Sequence, residues 1–176
     1  MVTRLKKWLE RILEFISITL LISLAVIVVL AVVFRFLGQS LIWYDEVASV
    51  LLAWLTYYGS ALAVCHRGHL GFPGLFLSLP KPLRGVAFII AEVVVIGFFA
   101  VVGYAGWYLL GIFGEETLVS LDWVHLSFTQ SVIPIGAVLF ILAEALSMPE
   151  AWRKSMAGID FEKEAIDQAI EEASQS

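Results

Sequence analysis

Three histidines, one cysteine and 16 carboxylates are the raw material this 176-residue chain offers for chemistry. Histidines facing each other across a helical bundle can ligate haem in a membrane anchor. His66 and His69 follow one apolar run with Arg67 between them, whereas His125 lies at the far end of another, so no pair can meet across a core. Cys65, alone, excludes an intrachain disulfide and a thiolate metal cage, and suits the role of a small apolar packing residue. There is no metalloprotease helix motif, no phosphate-cradling glycine loop and no nucleophile elbow. The expectation is a non-enzymatic chain without a cofactor or metal.

Charges that fall inside apolar runs need a reason, because an Asp, Lys or Arg at a bilayer centre costs about 2.5 to 3.5 kcal/mol on insertion scales. Glu92 is the leading case, and is expected to make a buried polar contact with another helix; proton coupling is the alternative. Glu144 falls near the end of a run, where an interfacial placement suffices. Arg35 closes one run, and Asp45 with Glu46 opens the next after a short connection. Two readings stand side by side: an ion pair at one rim, or an arginine snorkelling to lipid phosphate while Asp45 caps a helix. The acids also suit the positive end of a helix dipole.

The elements that position these residues are four uncharged apolar runs, 15–34, 47–65, 93–114 and 124–143. Each has about the 20 residues that cross a hydrocarbon core at 1.5 Å per helical residue. Continuous apolarity argues for helices, since a barrel strand would alternate over about ten residues. With 60% hydrophobic and 15% charged residues, and a mean hydropathy of +0.91, the excess apolar surface must face lipid. The third span is expected to start earlier, since only Glu92 interrupts 85–114. The first run, though preceded by Arg4, Lys6, Lys7 and Arg11, is too long for a cleaved signal and lacks a small-residue cleavage site.

Ten of the eleven lysines and arginines fall on one side of the predicted spans, and only Arg35 on the other, with Asp45, Glu46, Glu115, Glu116 and Asp122. That asymmetry predicts both termini in the cytoplasm, and an odd number of spans would destroy it. The chain divides into a basic cytoplasmic segment (1–14), a four-helix membrane domain (15–148) and a polar acidic cytoplasmic tail (149–176). The proline-bracketed segment Leu70 to Pro82 is too short to span and is predicted to lie in the cytoplasmic interface. From Asp160 a short amphipathic helix is expected in the tail. Net charge of -5 sits at ends and loops and gives no reason to expect nucleic acid.

Trp8, Trp43, Tyr44, Trp123 and Trp152 cluster near predicted boundaries, as a belt of lipid-interface anchors would. Gly59 with Ala63, and Ala87 with Ala91, are small residues four apart that permit close helix approach. Trp54, Tyr57 and Tyr58, and Tyr104, Trp107 and Tyr108, suggest packing against protein rather than bare lipid.

The stretch FRFLGQSLIWYDEVASVLLAWLTYYGSALAVCHRGHLGF (34–72) resembles the signature region of the small membrane subunits of tripartite ATP-independent periplasmic (TRAP) transporters. The matching features are Arg35, Trp43, the pair Asp45 and Glu46, the small patch 59–61, and the exit Arg67, Gly68, His69. Ile133 to Gly136 resembles the family's fourth helix. Asp45 departs from the commoner glutamate but keeps the charge. The resemblance covers nearly the whole length, with specific motifs in the middle third.

The resemblance implies a bacterial inner-membrane subunit that associates with a larger membrane subunit, which holds substrate and sodium sites and moves as an elevator. A periplasmic binding protein would deliver an organic acid, and this chain would extend the static scaffold among membrane lipids. Arg35, Trp43, Asp45, Glu46, Arg67, His69 and Glu92 become candidates for interface or structural roles, and Glu115, Glu116 and Asp122 for docking the binding protein. Two rivals from other classes are an autonomous proton-coupled exporter using Glu92 and a haem-bearing respiratory anchor.

Overall fold

In a computed structural model the chain is described over residues 2–66, 79–157 and Ile170. Its elements are α1 (Val2–Phe36), α2 (Tyr44–Cys65), α3 (Lys81–Phe113), α4 (Leu126–Gln130) and α5 (Val132–Ala157). Four helices are long and apolar enough to cross a membrane, α4 and α5 together forming the fourth. Arg67, His69, most of the predicted interfacial segment and the predicted tail helix fall outside the described residues.

Each helix is longer than the apolar run that predicts it. α1 is helical through the basic segment, and α3 starts at Lys81, with Pro82 in its first turn where no N–H is needed. Its 33 residues reach about 50 Å, so it must tilt in or project beyond a core roughly 30 Å thick. α1 stops because Gly38 takes a φ of 80°, which costs a residue without Cβ little. Gly38 N–H donates to Arg35 O and Gln39 N–H to Phe34 O, closing the last turn in a Schellman motif.

The predicted fourth span is interrupted. Pro134 has no N–H for the carbonyl of Gln130, and its ring crowds that carbonyl, so the helix breaks between Gln130 and Val132. A backbone group released in lipid needs another partner. The indole Nε1 of Trp54 on α2 donates to Thr129 O at 2.9 Å, and the Trp54 ring packs 5.1 Å from that of Phe128.

The helices form a row in the order α1, α2, α5, α3, with α1 also leaning onto α5. The fourth span is the best-buried, 39% of its most apolar stretch against 6% for α1. One core cluster joins Leu13, Ala61, Val64, Cys65, Phe140 and Ala143, with the Phe99 and Phe140 rings stacked 3.5 Å apart. Close approach occurs where the paired small residues did not predict it. A Cβ on Gly106 would meet Ile133 at 2.5 Å, one on Gly103 would meet Ala137 at 3.1 Å, and one on Gly136 would meet Tyr57 at 2.7 Å. Gly59 has open space instead, and Ala91 is exposed.

Candidate functional site

The two ends of the row differ in charge and in construction. At the acidic end, Trp43 accepts the first backbone bond of α2, from Val47 N–H, and Glu46 projects from the first turn of that helix. Beyond α3 the chain folds back through an antiparallel bridge between Thr117 and His125, with Leu118 N–H donating to Val124 O and Leu126 N–H to Glu116 O. That turn presents two successive amides to the Glu46 carboxylate. Val119 N–H donates to Oε1 at 3.0 Å, Ser120 N–H to Oε2 at 2.9 Å, and the Ser120 hydroxyl to Oε2 at 2.8 Å. Three hydrogen bonds to one ionised acceptor, two of them from backbone amides, let Glu46 tie the 117–125 turn to α2.

Around this tie the end is studded with exposed side chains: Glu115, Glu116 and Asp122, Asp45 on the helix, and the apolar Ile42, Val119 and Trp123. Arg35 shares this end, is exposed and makes no ion pair with Asp45 or Glu46, while α2 starts after Trp43 with no side-chain cap, so Asp45 does not cap it. Beneath the turn lies an apolar hollow of about 400 Å³ bordered by Trp43, Leu51, Leu121, Trp123 and Phe128.

The basic end is laced by side chains that the sequence does not single out. Lys6 on α1 contacts Glu150 on α5 at 3.1 Å, Lys154 reaches the same carboxylate at 3.5 Å, and His66 contacts Glu10 at 3.1 Å. Arg84 is buried and donates through Nη1 to Ser155 O and through Nη2 to Leu79 O, both at 3.1 Å. Glu92 is 7% exposed and interacts within the chain. Glu144, expected at the interface, is buried in the bundle at 6% exposure. It shares one face of α5 with the buried Phe140, Ser147, Ala151 and Ser155, a 3.6-residue periodicity that could have placed it inside.

The aromatic residues also divide. Trp54 and Tyr58 pack edge-on at 6.3 Å within the α2–α5 contact. Tyr104, Trp107 and Tyr108 on α3 instead point away from the bundle, at 74, 72 and 62% exposure. Among the described residues neither tyrosine hydroxyl nor the Trp107 N–H has a hydrogen-bond partner. Tyr104 lies nine residues from the end of α3, about 14 Å along the axis.

Four apolar spanning helices, with charges gathered at the two rims, define a multi-pass membrane protein. Residues 24–154 match the family described as tripartite ATP-independent periplasmic transporters, DctQ component, and the chain belongs to that family of transporter subunits. It is 27% identical over 149 residues to the C4-dicarboxylate TRAP transporter small permease protein DctQ of Pseudomonas aeruginosa, covering 74% of this chain. The match spans 64% of that relative's length.

Proposed function

We propose that this chain is a fixed, non-catalytic wall of a sodium-coupled TRAP transporter in a bacterial inner membrane, packed against a larger membrane subunit that carries the substrate. The basic end faces the cytoplasm, following the lysine and arginine asymmetry, and the acidic end faces the periplasm. The observation that carries the reading is the outward face of α3. Three hydrogen-bond donors on two adjacent turns, spaced i, i+3, i+4, find no acceptor in hydrocarbon, whereas the polar atoms of a neighbouring protein supply them. The outer face of α1, by contrast, is aliphatic along Ile18, Leu21, Ile22, Val26 and Val29, and suits lipid.

The acidic end is then the docking surface for the periplasmic binding protein, with Glu115, Glu116 and Asp122 meeting basic groups around the exposed Val119 and Trp123. The cargo class is an organic acid, in line with the dicarboxylate in the name of the Pseudomonas relative.

The experiment is co-purification of a tagged chain with the large subunit. Tyr104→Phe, Trp107→Phe and Tyr108→Phe combined keep the rings and remove the donors, and are expected to cut complex yield about tenfold. Ile22→Ala with Val29→Ala should leave it unchanged. Equal yields for the two sets would move the interface off α3. Solute accumulation by vesicles holding this chain alone would overturn the role itself, and labelling that puts the termini on opposite sides would overturn the orientation.

A further inference from the structure

At the basic end, α3 and α5 diverge around a groove of about 500 Å³ walled by Phe88, Ile96, Met148, Pro149 and Trp152, with Arg153 at its mouth. Glu92 lies on its inner wall but is buried and interacts within the chain. The Trp152 ring packs edge-on against Phe88 at 5.4 Å and closes one side of the groove over Gly85.

Among the described residues Arg153 is exposed and forms no ion pair; Glu150, the carboxylate one turn back, is held by Lys6 at 3.1 Å and Lys154 at 3.5 Å. An apolar groove with an exposed guanidinium at its mouth suits a ligand with an anionic head and a hydrocarbon body.

We infer that this groove is a phospholipid site, in which Arg153 holds the headgroup phosphodiester and one acyl chain lies between α3 and α5 against Trp152 and Ile96. A guanidinium matches a phosphodiester bidentately, and the interfacial indole suits the depth at which head meets chain. The site rests on other residues than Tyr104, Trp107 and Tyr108, so its failure in the isolated chain would leave the transporter reading untouched.

The test is native mass spectrometry of the full chain, stripped of lipid in detergent and titrated with phosphatidylglycerol, with the matching diacylglycerol, or with inorganic phosphate. One phosphatidylglycerol per chain is expected, with diacylglycerol roughly tenfold weaker and inorganic phosphate failing to displace the lipid. Arg153→Gln should weaken phosphatidylglycerol about tenfold and leave diacylglycerol unchanged. Val93→Phe, at the exposed rim of the groove, should weaken both lipids. Helicity and elution unchanged from wild type confirm that each variant folds. Equal binding of diacylglycerol and phosphatidylglycerol, or wild-type binding by Arg153→Gln, would overturn the headgroup assignment. Displacement by inorganic phosphate alone would reduce the site to a simple anion site, and an unaffected Val93→Phe would put the acyl chain elsewhere.

Discussion

The acidic and basic ends of this row of helices are both held by carboxylates, yet the two sets of contacts differ in kind. At the acidic end a single side chain, Glu46, accepts three hydrogen bonds from one turn 74 residues further on, two of them from backbone amides. At the basic end Glu150 meets Lys6 and Lys154, and Glu10 meets His66, across partly exposed surfaces; side-chain exposure is 47% for Glu150 and 62% for His66. Backbone donors are already fixed, so the first tie orders a loop at little entropic cost. Long side chains must be immobilised to form the second kind, which leaves each pair worth about 1 kcal/mol or less. The molecule thus has one rim shaped by a rigid tie and one stitched by adjustable contacts.

The strongest way to break that contrast is Glu46→Ala. It should loosen the 117–125 turn, seen as severalfold faster amide exchange at Val119 and Ser120, with no change near Lys6. Glu46→Gln should show a smaller effect of the same sign, because its amide NH2 confronts a donor. Docking of the binding protein should weaken in parallel, while co-purification with the large subunit persists. Exchange at wild-type rate in Glu46→Ala would remove the tie from the account.

Trp54→Phe keeps the ring but leaves Thr129 O without its donor, and should lower the melting temperature by an amount equivalent to about 1 kcal/mol. A stability equal to wild type would mean that the broken helix finds another donor for that carbonyl. Lys6→Ala is expected to cost about 0.5 kcal/mol, and half-molar salt should erase the difference from wild type. The Glu46 tie, by contrast, should survive that salt. Salt-insensitive stabilisation by Lys6 would place its pair with Glu150 in the same class as the acidic-end tie.

Much of the fold was legible in the sequence because a span declares itself by length and apolarity, and four runs became four spanning helices. The packing was not, for a physical reason. In lipid, hydrophobicity does not separate the face turned to protein from the face turned to hydrocarbon, so Gly59 and Gly106 look alike although only Gly106 meets a neighbour. Glu46 stood out by its charge and by the resemblance, but its partners belong to a turn whose place depends on the whole α3–α5 path. Arg35 was visible for the same reason as Glu46, yet the Schellman stop at Gly38 leaves it exposed at the rim. The break at Gln130 was carried openly by Pro134 and was hidden only by the unbroken apolarity around it. The outward set of Tyr104, Trp107 and Tyr108 shows that an aromatic cluster does not by itself say whether it packs inside the chain, as Trp54 and Tyr58 do.

Because α2 and α5 occupy the middle of the row while α1 and α3 lie at its outer edges, the described helices offer two broad flanks to their surroundings. On the proposed scaffold role, selection acting on cargo would have little purchase on these flanks, and their drift should track the shape of their neighbours instead.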